Sequence, residues 1–243
     1  MAPTLNSGTY TKDLSNAPSI QGGVLFRRKC DFIIPDDTII YRIVETHYDT
    51  SQYDYIAEVY EIGFYSPDFI EQHIDTLREE GMSDNDVVNE IIDLKMEDPH
   101  ASILVARFAY DDIQILNKNA IRVWAKQIRG AYVDTQKSGV GLAGQIYRQF
   151  VLMHGYLVCD NVQTEFGAAL WAGTIRDVVG RVDIYDCHND KYIQELGDKG
   201  IGVGGFVPWD LNCTSNHTFR LARWILYPFE ITSCTHIVLV VSL

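Results

Sequence analysis

The sequence predicts a mixed α/β fold in which helices flank a β-sheet, and three observations carry that prediction. Residues 38–60, 101–110 and 120–134 are crowded with β-branched and aromatic side chains, as strands require. Residues 66–81, 83–93 and 142–151 instead space their apolar side chains by three and four, the helical period. A chain of 243 residues, 47% of them hydrophobic, can bury a full core and lies near the upper limit for one domain. We therefore expect an arm at residues 1–20 and one main domain over 21–243, with its core near 103–186 and an extension over 190–243.

The opening segment, MAPTLNSGTYTKDLSNAPSI, is rich in Ser, Thr, Asn and Pro and has neither a basic start nor an apolar run. It is expected to be a loose arm and not a signal peptide. Residues 38–60 break at 49–51, which suggests two strands joined by a turn. The first helix follows, with Ser66 as N-cap, Pro67 at its first position, Asp68 in the first turn, Ile70, Ile74 and Leu77 on one face, and Gly81 as the stop. In the second helix Ser83 is the expected cap, Asp84 and Asp86 suit the dipole, and Val87, Val88, Ile91 and Ile92 form the buried stripe. The stretches ASILVARFAY and AIRVWAKQIRGAYVD read as the longest strands.

From residue 139 the period changes again. Leu142, Ile146 and Phe150 share a helical face, with Ala143, Tyr147 and Val151 beside it and Gly155 as the end. YLVCD reads as a buried strand, Thr164 as the cap of a helix reaching about Ile175, and RVDIYD as the next strand. The tail from Asp190 is glycine-rich, then aromatic and β-like; its HIVLVVSL suits a strand and is far too short to span a bilayer. No membrane anchor is expected.

A formal charge of −13 repels a phosphate backbone, which argues against nucleic acid and is easier to reconcile with a cationic substrate. Five cysteines, odd in number and scattered, point to reduced thiols and a cytoplasmic setting. Cys213, His217, Cys234 and His236, or Cys187 with His188, do not follow the common zinc ligand spacings, so no metal is expected. Asn212 and Asn216 open glycosylation patterns that matter only on secretion. No Ser-His-Asp or Cys-His arrangement can be singled out.

The glycines near residue 140 fit two phosphate-binding patterns. Gly139, Gly141 and Gly144 read G-x-G-x-x-G before a helix, and Asp160 ends the next strand about twenty residues on, as a dinucleotide site requires. However, polar residues 134–138 separate the strand from the first glycine, some 130 residues precede the unit and few strand–helix units follow. A nucleotide-dependent oxidoreductase is therefore the least favoured reading. Gly200, Gly202 and Gly205 repeat the spacing but lead into Phe206-Val207-Pro208, which suggests a loop.

The second pattern is Gln136-Lys137-Ser138-Gly139-Val140-Gly141, Q-x-x-G-x-G between a long strand and a helix. Here the chain resembles the GNAT acetyltransferase superfamily, whose signature [QR]-x-x-G-x-[GA] holds the diphosphate of coenzyme A. Physically, small residues let successive backbone N–H groups approach a pyrophosphate, and the helix start adds partial positive charge. The resemblance implies a mixed, mostly antiparallel sheet flanked by helices. It also implies acetyl-CoA as cosubstrate, with Tyr132, Val133 and Leu142 beside the loop and the strand ending at Asp160 splayed to admit the pantetheine arm. The following helix shows Thr164-x-x-Gly167-x-x-Leu170-Trp171 where the superfamily often has N-x-x-A-x-x-L-Y, so Trp171 stands in the place of a tyrosine near the sulfur. CDNVQTEFGAALW is also similar to GNAT-related proteins of tailed bacteriophages.

Acetyl transfer needs a deprotonated amine, a polarised thioester carbonyl and a stabilised thiolate. Backbone N–H groups near Val133 suit the carbonyl, and Asp134, Asp160 and Glu165 are the base candidates. Tyr185 or Tyr132 replaces the missing acid, and Lys137 faces a phosphate. The expectation is direct transfer from acetyl-CoA to a small-molecule or protein amine. The alternative is a GNAT-fold binding or virion-associated protein without transfer activity, with a homo-oligomer or a viral or host protein as partner.

Overall fold

The computed structural model describes residues 4–5, 14–20, 22–137, 141–160, 162–163, 165–198, 200–208, 210–211 and 237–243. Ser138, Gly139, Val140, Thr164 and the group Asn212, Cys213, Asn216, His217, Cys234 and His236 lie outside them.

In chain order the elements are β1 (Thr4–Leu5), β2 (Val24–Ile33), β3 (Ile40–Tyr48), β4 (Tyr55–Glu61), α1 (Pro67–Glu79), α2 (Asp84–Asp93), β5 (Ile103–Leu116) and β6 (Arg122–Val133). There follow a 3-10 turn (Thr135–Lys137), α3 (Leu142–His154), β7 (Tyr156–Val158) and β8 (Val162–Gln163). Then come α4 (Glu165–Leu170), a π turn (Trp171–Ile175), α5 (Arg176–Val179), β9 (Val182–Asp186), β10 (Lys191–Glu195), β11 (Asp210–Leu211) and β12 (Ile237–Ser242). The architecture is a nine-stranded sheet of order β10-β9-β12-β7-β6-β5-β4-β3-β2 with helices, plus a small sheet β11-β1-β8. The β6–β7 pair is parallel, whereas β2–β3, β3–β4, β7–β12, β12–β9 and β9–β10 are antiparallel. The expected mixed, mostly antiparallel sheet flanked by helices is therefore present.

The chain forms two compact units, one of Leu14–Ala109 and Ala131–Leu142, the other of Met1–Asp13, Tyr110–Gly130 and Ala143–Leu243. In the first, Ile70, Ile74 and Leu77 of α1 and Val87, Val88 and Ile91 of α2 pack with Ile33, Ile40 and Ile62 into one apolar cluster. Ile92 is only partly buried at its margin. Ser83 caps α2 as expected, accepting from the Asp86 N–H, but Ser66 makes no side-chain cap bond. Pro67 brings no N–H of its own to the start of α1, and its fixed φ suits that position without help from Ser66.

Charge completes this unit. Arg42 on β3 forks to Asp31 on β2 (2.6 and 2.8 Å) and to Glu97 beyond α2 (2.6 and 3.0 Å), which ties the end of the helical pair to the sheet. Arg107, 5% exposed, bonds Glu58 (3.1 Å) and the Leu14 carbonyl (2.7 Å). Leu14 is thereby buried, and in the other unit Thr4–Leu5 pair in parallel with β8 and β11. At both places the backbone finds hydrogen-bond partners.

In the second unit β12 is the central strand. Val240 and Val241 pair with Val158 and Leu157 on one side and with Asp183 and Val182 on the other, and Ile237 to Val241 are all buried. The long β5–β6 strands close at Asn117–Ile121, where the Asn117 N–H meets the Ile121 carbonyl at 2.8 Å. Pairs Lys126–Asp112 and Arg129–Asp111 (3.2 Å) hold the strands together across the polar stretch.

The helix expected to end near Ile175 continues to Val179 through the π turn, and Gly180, at φ +89°, stops it. It packs on α3 at Gly144, where a Cβ would lie 2.8 Å from Thr174 Cγ2 and 3.2 Å from Val178 Cγ2. Gly144 is thus required by helix–helix approach. Gly144→Ala should lower stability by about 1 kcal/mol, the overpacking cost exceeding the gain in helix propensity. In a Thr174→Ser background, which removes that methyl, the same change should become neutral or stabilising in urea denaturation.

Candidate functional site

The candidate site is built on one local run, a strand leading through a turn into a helix and then a parallel strand. Strand β6 ends at Val133, and the Asp134 N–H is still bonded to the Val105 carbonyl (2.8 Å). The chain then enters the 3-10 turn. The Asp134 carboxylate accepts the Gln136 N–H (2.9 Å) and its carbonyl accepts the Lys137 N–H (2.9 Å), so Asp134 caps this turn. Thr135 and Gln136 are exposed, and Tyr132 is half-buried against Leu14, Tyr53 and Ala109.

The Lys137 ammonium is ion-paired with Glu61 on β4. Gly141 adopts φ +79° immediately before α3, and nothing lies within 4 Å of where its Cβ would be. That left-handed conformation suits glycine, and the open space beside it lets another molecule approach the backbone closely. Leu142, the first residue of α3, is buried at 1% exposure and belongs to the core, not to a ligand surface.

Strand β7 runs parallel to β6 at Lys126↔Leu157 and Gln127↔Val158 and ends there, while β6 continues to Val133. The next amide, that of Cys159, is bonded to the Leu239 carbonyl of β12 (2.9 Å), and the Leu239 N–H lies 3.1 Å from Cys159 Sγ. The expected strand over 156–160 is shorter, because the Cys159 carbonyl accepts the Gln127 Nε2–H (3.3 Å) and leaves the Leu239 N–H to the sulfur, which ends the ladder. Asp160 follows at 7% exposure.

Trp171 is 2% exposed and meets the Tyr147 ring edge-on, centroids 5.5 Å apart. It packs in the core, within the π turn. Tyr185 is completely buried; its hydroxyl accepts the Leu116 N–H (2.9 Å) and donates to Asp190 (3.0 Å). Burial pushes that hydroxyl up to about 12. Arg122 (2.7 Å) and the Tyr185 hydroxyl in turn hold the Asp190 carboxyl below its usual range. These bonds fasten the start of the β5–β6 turn to β9 and the turn after it, a holding role that the sequence did not reveal.

The two glycine motifs also separate. Strand β6 ends before the turn, so the first glycine of a dinucleotide motif does not fall at its end, and Gly144 is accounted for by Thr174. Gly202 and Gly204 surround Gln194, whose Oε1 accepts the Gly204 N–H (2.8 Å); a Cβ at Gly202 would lie 2.3 Å from that oxygen. That segment is a loop wrapped on a side chain.

Among the described residues no cluster of three or more His, Cys, Asp or Glu side chains is arranged to hold a metal ion. Cys30, Cys159 and Cys187 form no disulfide among the described residues, and burial pushes Cys187 up to about 11. No described helix is long and apolar enough to cross a membrane. Comparison with family models, with curated proteins and with solved structures found no match.

Tyr185→Phe leaves the Leu116 N–H without its buried partner and should cost about 1–3 kcal/mol. The wild-type tyrosine, raised in the folded state above its ordinary value of about 10, contributes stability that is present below pH 10 and lost as pH rises towards 12. Denaturation midpoints followed from pH 9 to 12 should therefore fall more steeply for the wild type than for Tyr185→Phe.

Proposed function

We propose that the chain is a GNAT-type protein that binds acetyl-CoA and transfers the acetyl group to an amine. The observation that carries this reading is the run β6, 3-10 turn, Gly141 at φ +79° and α3, followed by a parallel strand that leaves β6 after two paired positions. Residues 136–141 cradle the diphosphate through backbone N–H groups, and the start of α3 adds its dipole. The pantetheine arm enters beside Ile128, just past the two positions at which β6 and β7 pair. In the transfer the amine nitrogen attacks the thioester carbon, the C–S bond breaks, the thiolate takes up a proton and the amine loses one.

Asp160 and Asp134 are the base candidates, and Asp134 spends one carboxylate oxygen on its turn. Thiols that form no disulfide among the described residues and the acidic charge support action in a cytoplasm, that of a bacterial host on the bacteriophage resemblance. The acceptor is a small-molecule or protein amine, drawn by the net charge of −13.

Two specific observations favour a second reading, a GNAT-fold binding protein without transfer. Trp171 fills the place of the expected tyrosine and is buried, and the Tyr185 hydroxyl is already engaged on both sides. The acid would then have to be Tyr132 or water.

Titration calorimetry with acetyl-CoA, CoA and NAD tests the reading. Acetyl-CoA and CoA should bind and NAD should not. Gly141→Glu should abolish binding, while Gly141→Asn, which tolerates the same backbone, keeps the fold as a control. Lys137→Ala should cost no more than about 1 kcal/mol, since Glu61 already holds that ammonium. Binding without transfer to a broad amine panel, with the bound thioester intact for hours, selects the second reading; NAD binding with no response to CoA contradicts both.

A further inference from the structure

Beside the tip of the β5–β6 hairpin lies a hollow of about 420 Å³, within the usual size of small-molecule sites. Asn117, Lys118, Asn119, Tyr156, Arg181 and Tyr192 are among its walls. All belong to one unit, and none is part of the candidate site above. Two of the wall side chains are cations with donors to spare. Lys118 gives one N–H to Asp183 Oδ2 (2.6 Å). Arg181 turns Nε (2.9 Å) and Nη2 (2.8 Å) to Asp183 Oδ1, and Nη1 to Glu195 (3.2 Å). An ammonium carries three N–H donors and a guanidinium five, so each of these side chains keeps two unspent among the described residues.

Two of the nearby acceptors are occupied. Both Asp183 oxygens are taken, and Asn117 Oδ1 receives the Asn119 and Ile121 N–H groups at 2.9 Å each. Burial, reinforced by Asp183, pushes the Tyr192 hydroxyl above its ordinary value, so it stays protonated at neutral pH and adds a donor. Lys118, Arg181 and Tyr192 therefore offer protons to a ligand's lone pairs, beside the Asn119, Tyr156 and Ser242 oxygens of the same wall.

The donors are also held in place. Asp183 is 4% exposed and anchors both cations, whose side chains remain about half exposed at 45% and 48%. The Tyr192 ring is set edge-on against Tyr185 (5.1 Å), and the Lys118 ammonium lies over it at 5.7 Å. Formal charges cancel among Lys118, Arg181, Asp183 and Glu195, so attraction rests on directed hydrogen bonds and ring contact rather than on net charge.

We propose that this hollow binds a small organic oxyanion carrying a flat ring, its phosphate or carboxylate oxygens on Lys118 and Arg181 and its ring along Tyr192. The inference is independent of coenzyme A binding.

Amide NMR titration of the whole chain tests it with phenyl phosphate, benzoate, inorganic phosphate and benzyl alcohol. Phenyl phosphate or benzoate should shift the amides of Asn119, Arg181 and Tyr192, and whichever binds more tightly identifies the ester or the carboxylate as the preferred anion. Inorganic phosphate should act at the same amides about tenfold more weakly, and benzyl alcohol not at all. Lys118→Met should weaken the aryl anion about tenfold while keeping the melting temperature, since Arg181 still neutralises Asp183. If that variant does not fold, Asn119→Asp, a like charge on an exposed turn residue, should weaken binding instead. Unmoved amides at these positions, shifts confined to residues 136–141, or equal affinity in the folded variant would overturn the proposal.

Discussion

The second unit depends on the placement of one strand, β12, between β7 and β9. Its five buried residues Ile237 to Val241 supply ladder partners on both edges, so removing it would leave two strand edges unpaired in the interior. Beyond Val158 the Cys159 N–H keeps the ordinary ladder bond to Leu239 of β12, while the Cys159 carbonyl accepts the Gln127 Nε2–H of β6 (3.3 Å). After two paired positions the backbone pairing of β7 with β6 thus gives way to a side-chain bond from Gln127. This requires no strain in β6.

Around that framework, buried charge fixes what apolar packing leaves free. Asp183 and Asp190 take Lys118, Arg181 and Arg122 and hold the hairpin turn near β9, with Tyr185 bonding the turn backbone. In the other unit Arg42 and Arg107 do the same for the segments flanking β3 and β4. Where the charge is buried, as at Asp183 and Arg107, losing every partner would leave it desolvated, whereas the Arg122–Asp190 pair is exposed. The same logic makes Lys118 and Arg181 well-positioned donors, because the carboxylate that neutralises them also fixes where they point.

Much of the fold was legible because its signals are local. The Ser83 cap, the α1 and α2 stripes, the face Leu142, Ile146 and Phe150, and the terminal β12 all follow from spacing within a few residues. What was not legible depends on partners far along the chain. Asp111 and Asp112 hid the outer half of β5, because a polar run reads as loop until Lys126 and Arg129 face it. Tyr185 looked like a free acid until Leu116 and Asp190, on either side of it in sequence, took its hydroxyl. Gly144 completed a phosphate motif by spacing, yet glycine at a helix start equally serves close approach by another helix, here at Thr174. At the candidate site a loop between strand and helix was legible; its 3-10 turn over residues 135–137, the left-handed Gly141 and the Glu61 partner of Lys137 were not.

The most direct test of this account is the hydrogen bonding at the point where β7 leaves β6. Through-bond NMR coupling across hydrogen bonds should connect the Cys159 amide with the Leu239 carbonyl, and adding acetyl-CoA should shift Ile128, Arg129 and Cys159 without breaking that coupling. A Cys159 amide bonded to a β6 carbonyl, or amides at these three positions that ignore acetyl-CoA at saturation, would contradict it.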